Sequence, residues 1–233
     1  MIVSVFFQQM KFPAKHKALS LGGFFEKQNS AVAPESVVAM DCEMVGGING
    51  KDLLARVSLV GYSGKVLLDL FVKPAEVVKD YRTDITGVDA EILKRAGKTK
   101  DEVVNKVKEM LNGKLVIGHG LNNDFDALGF THPAEMIRDT AGYKPLRPTD
   151  REKKIPALKF LVSHWLGKDI QKGSHSSVED ARFALQLFKK VAVEWEQSLK
   201  KVEKPVKKNI RRNFQVRNNA KAKIVKVVPQ KKQ

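Results

Sequence analysis

The sequence predicts an α/β domain on a mixed β-sheet, an antiparallel meander followed by parallel strands, flanked by helices. Three observations lead there. Three apolar, β-branched runs follow one another between residues 36 and 72 with only short turns between them. After them, strand-like and helix-like runs alternate, the pattern of a sheet with helical crossovers. Hydrophobic residues make up 42% of the 233 positions, enough for a core through most of that length.

SVVAMDCEM (36–44) reads as a buried strand, and LLARVSLVGY (53–62), with its mixed pattern, as a half-buried one. The glycines of GYSGK suit a turn into KVLLDLFV (65–72), the third strand of the meander. Pro74 opens a loop, and VKDYRTDITGVDAEIL (78–93) mixes loop with a short helix from about Asp89. Thr99 and Glu102 form a capping-box pair. The helix after them sets Val103, Val104, Val107, Met110 and Leu111 on one stripe and ends at Asn112-Gly113.

KLVIGH (114–119) is a short apolar strand. A helix starting near Asn122 or Asn123 follows, either of them a natural N-cap. MIRDT (136–140) is a fifth short strand, and the basic, proline-bearing stretch 142–156 is a loop. PALKFLVSHWLG (156–167) is a helix with Pro156 at its start and Gly167 near its end. A loop then holds His175. The last core helix runs from about Ser177 to Trp195, with Val178, Ala181, Ala184, Leu185, Phe188 and Val191 inward.

The net charge is +16 and unevenly spread. Thirteen Lys/Arg against the single acid Glu203 give residues 200–233 a charge of +12. A near-balanced body with a basic tail fits a catalytic or binding domain plus an electrostatic arm for a polyanion, nucleic acid above all, because Lys/Arg–phosphate contacts release counterions. The same lysines suit nuclear targeting. The tail is too charged to bury a face and is expected to be disordered in isolation. The expected organisation is a leader over 1–34, partly ordered or flexible, a domain over 35–197 and the tail over 198–233. Cys42 is the one cysteine, so no internal disulfide forms and a reducing compartment fits. MIVSVFFQQMK reads as neither signal peptide nor membrane span, so no membrane partner is expected.

Four acids and a histidine carry the chemistry. Asp41 and Glu43 stand two apart on a predicted strand, so both carboxylates project from one face, about 6.6 Å apart along it, with Cys42 on the other as a small buried residue. The apolar flank VVAM marks the strand as buried, where paired acids without a cation are costly. Asp124 lies in the first turn of a predicted helix, two positions from Asp126. Only one of these can face the same point, and spacing leaves the choice open. His175 precedes a helix that Ser176 or Ser177 would cap, with Asp180 in its first turn. A loop histidine is suited to taking a proton from water. Acids converging from a strand and two helix starts point to a two-metal phosphodiester-cleaving site with His175 as base. The absence of a cysteine cluster argues against zinc, and hard oxygen ligands suit Mg²⁺ or Mn²⁺.

The motifs MDCEMVG, ARVSLV, DYRTDITGV, VIGHGLNNDF, IRDT and HSSVEDAR, in that order over about Val37 to Glu196, resemble the DEDDh 3′–5′ exonuclease family. Within it, IRDTAGYKPL and VAVEWE are most similar to the eukaryotic RNA exonuclease 4 branch. The resemblance implies an RNase H-like fold and metal-binding roles for Asp41, Glu43, Asp124 and Asp180. It also implies His175 as general base, two divalent cations (Mg²⁺ or Mn²⁺), and release of nucleoside 5′-monophosphates from RNA 3′ ends. Ribosomal RNA processing in the nucleus, in the nucleolus, by a monomer able to meet pre-ribosomal particles, is the implied setting. Relatives often carry a long basic N-terminal extension, whereas the basic segment here is C-terminal.

Other residues are candidates of lower rank. Met44, just past the acid pair, and Arg82 in DYRT are placed for substrate contact. Arg56, Arg138, Lys144 and Arg147 are candidates for the RNA path, and His119 for a hydrogen-bonded structural residue. Two rival readings stand beside the exoribonuclease: the same chemistry on DNA, including single-stranded DNA, and a non-catalytic pre-ribosomal RNA-binding assembly factor.

Overall fold

The computed structural model describes residues 32–148 and 155–202. The expected leader up to residue 31, residues 149–154 of the basic loop and the tail beyond residue 202 lie outside the described residues. No described helix is long and apolar enough to cross a membrane.

The meander forms as the three apolar, β-branched runs predict. β1 (Val37–Gly47) pairs antiparallel with β2 (Asp52–Gly61), and β2 with β3 (Val66–Lys73). The chain continues through β4 (Val78–Asp80), α1 (Thr83–Thr86), α2 (Ala90–Arg95), β5 (Lys98–Thr99), α3 (Lys100–Leu111) and β6 (Leu115–Gly118). It ends with α4 (Leu121–Leu128), β7 (Ile137–Asp139), α5 (Leu158–Leu166) and α6 (Ser177–Val202). The sheet has the order β5-β3-β2-β1-β6-β7, and β4 pairs with β1 off that path. β6 runs parallel to β1, and β7 parallel to β6. This is the mixed α/β sheet the pattern implied.

Side-chain alternation on β1 divides the core. Val37 and Ala39 join Leu161, Leu185 and Phe188 on the face covered by α5 and α6. Val38, Met40 and Cys42 join Val107, Leu111, Leu121 and Phe125 on the face covered by α3 and α4. Burial of a side chain such as Phe188 contributes about 2–3 kcal/mol. The capping box at α3 is complete: Thr99 accepts from the Glu102 amide, and Glu102 accepts from the Thr99 amide. Thr99→Ala is expected to lower stability by about 1 kcal/mol, read from the urea midpoint.

Several expectations need correction. α4 begins at Leu121, not at Asn122 or Asn123, and neither asparagine caps it. Gly120 occupies the cap position at φ +78, a conformation glycine adopts without strain. Its amide and that of Leu121 donate to the Asp139 carboxylate at 2.8 and 3.0 Å, so the cap arrives from β7. β4, β5 and the single turn α1 form in segments read as loop. β4 and β5 are short, and tertiary pairing rather than local pattern makes them. α6 continues past Trp195 to Val202.

Arg138 is not on a surface path. It is buried and donates through Nε and Nη2 to Glu196 at 2.6 and 2.8 Å, bracing β7 against α6. A buried pair of this kind leaves an uncompensated charge when one partner is lost. Arg56 is likewise committed, to Asp69, and Arg147 donates to the Ala141 carbonyl. Lys144 begins a short 3-10 turn within the loop. His119 is the structural residue expected: Nε2 donates to the Pro156 carbonyl, Nδ1 lies 3.0 Å from Thr140 Oγ1, and burial lowers its pKa.

Candidate functional site

Strand pleat, a bulge and two helix starts build one acidic centre. On β1, Asp41 and Glu43 project toward α6 while Cys42 points to the opposite face. Directly after Glu43 the β1–β2 register slips, from Glu43 opposite Arg56 to Met44 opposite Leu54. A bulge of this kind re-aims neighbouring side chains. α4 brings in Asp124, buried, while Asp126 two residues on is exposed. Of the two, Asp124 is the one that turns into the protein. α6 contributes Asp180, also buried, from its first turn.

The carboxyls lie close enough to perturb one another. Burial raises the pKa of Asp41 well above the usual range, and the charges of Asp124, Asp180 and Glu43 raise it further. Asp41 is only half-buried by exposed area yet is densely surrounded by protein. Burial, then Asp180, pushes Glu43 up to about 8, against the opposing pull of Arg56 and the Ser177 amide. Asp124 is pushed to about 7 by burial, offset by hydrogen bonds from the Cys42 thiol and amide. Asp180 is raised by burial, with Gln171 and His175 opposing.

Glu43, Asp124 and Asp180 each have part of their demand met from the protein. Gln171 Nε2 donates to Asp180 Oδ2 at 2.9 Å, and the Ser177 amide donates to Glu43. Two buried carboxylate oxygens, Glu43 Oε1 and Asp180 Oδ1, have no hydrogen-bond partner among the described residues. Unpaired buried acceptors of this kind call for a donor or a cation. Among the described residues, no group of three or more Asp, Glu, His or Cys side chains stands arranged to hold a metal ion. The donor set is nonetheless one of hard oxygens, and the two unpartnered oxygens belong to two of its members. The residues fit a divalent oxygen-seeking cation.

His175 lies beside the acids, its side chain about one-third exposed, with Nδ1 3.7 Å from Asp180 Oδ2. Its loop is tied to α1 by the His175 amide, which donates to the Ile85 carbonyl. Gly87, at φ +66, lets this approach happen: a Cβ there would meet Ser174 Oγ at 3.1 Å. Met44 is partly buried against the α3–α4 face of the core. Arg82, at φ +50, pairs with Asp52 at 2.8 Å and lies close to Gly46 at the end of β1.

Sequence reasoning missed the groups that hold the acids. Ser177 was read as a cap, but its amide serves Glu43 and its hydroxyl meets Ser58 at 2.7 Å. Gln171 carries a positive φ of 55, which its sequence does not advertise. Cys42 is buried as expected but also donates to Asp124. Burial and the neighbouring acids raise its own pKa, so it stays a thiol.

A family model described as Exonuclease, of RNase T type, matches residues 38–188. RNA exonuclease 4 of Cryptococcus neoformans is 48% identical over 168 residues, covering 71% of this chain and 41% of that protein. RNA exonuclease 4 of Saccharomyces cerevisiae is 45% identical over 161 residues, covering 68% and 55% respectively. The chain thus spans about half the length of these curated relatives. Among solved structures, the Saccharomyces cerevisiae Pan2 pseudoubiquitin hydrolase–RNA exonuclease module in complex with A7 RNA superposes with a TM-score of 0.62 at 29% identity. That match covers 86% of this chain and 34% of the module.

Proposed function

The chain belongs to the exonuclease family of RNase T type and has its RNase H-like fold, and on that premise we propose that it is a metal-dependent 3′–5′ exoribonuclease releasing nucleoside 5′-monophosphates. The observation that carries the reading is the acidic centre. The acids of α4 and α6 raise the pKa of both carboxyls on β1, burial raises all four, and two buried oxygens lack partners among the described residues. Divalent cations relieve both conditions at once.

Asp41, Glu43, Asp124 and Asp180 are the residues that would hold two divalent cations, Mg²⁺ or Mn²⁺. When bound, these supply Lewis acidity at the scissile phosphate and favour ionisation of an attacking water. His175 takes the proton from that water, from a loop that Ile85 and Gly87 hold against α1. Nδ1 of His175 lies 3.7 Å from Asp180 Oδ2, which places the ring beside the acids. Met44 and Arg82 flank the end of β1, where the terminal nucleotide would lie. The basic residues 200–233 hold the polyanion without reading its sequence. Relatives named RNA exonuclease 4 and an RNA-bound structural neighbour support RNA as the substrate. Ribosomal RNA processing in the nucleolus, by a monomer, is the setting we propose.

The test is a side-by-side digestion of matched 5′-labelled single-stranded RNA and DNA with Mn²⁺. The expected result is a ladder shortening from the 3′ end, at least about tenfold faster on RNA, ended by EDTA. Equal rates on DNA would move the substrate class to DNA. Binding without any shortening would make the protein an RNA-binding assembly factor instead.

A further inference from the structure

Two rows of side chains cross the meander on the face that α6 covers. Strand register puts Asp41, Ser58 and Asp69 in one row, and Glu43, Arg56 and Phe71 in the next. Arg56 therefore stands directly across from Glu43, where facing Cβ atoms are on the order of 5 Å apart. A cation there is a ready counter-ion for Glu43 and Asp41, and its charge does reach both. Its guanidinium nevertheless turns the other way. Nε and Nη2 donate to the two oxygens of Asp69, each at 2.8 Å, and the group lies 5.0 Å from the Phe71 ring centre.

Asp69 also accepts the Ser58 hydroxyl at 2.9 Å. Because that hydroxyl has one proton, the 2.7 Å contact between Ser58 and Ser177 is donated by Ser177. Both serines are fully buried. The chain of bonds ends at the first residue of α6, whose amide serves Glu43 and whose helix carries Asp180 three residues on.

We propose that Asp69, outside the acidic centre, is a positioning residue for it. It holds the Arg56 guanidinium off Glu43 and Asp41, leaving those carboxylates to a divalent cation. Through Ser58 and Ser177 it also anchors the start of α6. The inference rests on the metal-site reading above. With the charge of Asp69 removed, Glu43 becomes the strongest acceptor across from Arg56, and an internal arginine then competes with the metal for the same oxygens.

The experiment is calorimetric titration of Mn²⁺ into chelator-stripped full-length protein, with Tm as the check on folding. Four forms are compared: wild type, Asp69→Asn, Arg56→Gln and the double variant. Asp69→Asn is expected to weaken Mn²⁺ binding about tenfold, and the double variant to return within about threefold of wild type. A merely structural loss at Asp69 would not be rescued by removing its partner. Arg56→Gln alone should bind within about threefold of wild type, a result readable even should Asp69→Asn fold poorly. Unchanged binding in Asp69→Asn, absent rescue in the double variant, or a tenfold loss in Arg56→Gln would each overturn the proposal. A wild type that binds no Mn²⁺ would instead overturn the metal-site reading, and this inference with it.

Discussion

Asp41→Ala is expected to lower the rate of RNA hydrolysis by about 10⁴-fold while RNA binding in the absence of metal stays within about threefold. Asp41 is the acid that feels all three of the others, so its loss opens the centre rather than its rim. The deficit should fall on kcat, since a metal ligand acts where charge develops in the transition state. Folding should survive. The substitution removes a repelled carboxylate from the protein interior, so Tm in EDTA should not fall. Asp126→Ala is the matched control: that residue is exposed on the same helix as Asp124 and should leave the rate unchanged. Gel-resolved hydrolysis of a 5′-labelled single strand reads the rates, and fluorescence anisotropy reads binding. Activity of Asp41→Ala within about tenfold of wild type would sink the site assignment.

The parts of the architecture with regular patterning were legible. Apolar, β-branched runs with turn glycines between them revealed the meander, and the pleat of its first strand set Asp41 and Glu43 against Cys42. The capping box at Thr99 and the stripe of α3 were readable because their partners are three or four residues apart. What escaped depends on distant partners. The cap of α4 is Asp139, about twenty positions on, so the local asparagines misled. β4 and β5 exist through pairing with β1 and β3 and have too few residues to show a period. Arg138 read as a candidate for the RNA path because Glu196, the residue that makes its burial tolerable, lies on another element. The same holds at the site. The acids stood out as types, whereas Ser177, Gln171 and the Asp69–Arg56 pair acquire meaning only from contacts across the sheet. The choice between Asp124 and Asp126 needed burial, which a helical periodicity of two residues cannot supply.

The stability of the chelated protein is expected to fall as pH rises from about 5 to about 8.5, and Mn²⁺ is expected to restore it most at the high end. The sign follows from the direction of the shifts. Asp41, Glu43, Asp124 and Asp180 all have folded pKa values above those of an unfolded chain. Below about pH 4 both states hold these protons, and no difference arises. Above that, the unfolded chain releases protons that the fold retains, so unfolding is favoured increasingly with pH. The loss levels off only as pH passes the folded values, about 7 for Asp124 and about 8 for Glu43. The sum is on the order of a few kcal/mol, because the four acids share their protons rather than titrating independently. A domain of this size then loses several degrees of Tm, at about 2–4 °C per kcal/mol. Mn²⁺ displaces the same protons, so its stabilisation should be small at pH 5.5 and large at pH 8.5. Net positive charge acts oppositely, since its self-repulsion eases as pH rises, and it is common to every variant. The discriminating measurement is therefore the difference in Tm between wild type and Glu43→Gln across pH in EDTA. Glu43→Gln keeps the side-chain volume and removes the acid pushed up to about 8, so its curve should be flatter and should lie above wild type at pH 8.5. Parallel curves would mean that the buried acids do not strain the fold, and the case for cations as their natural partners would lose its physical basis.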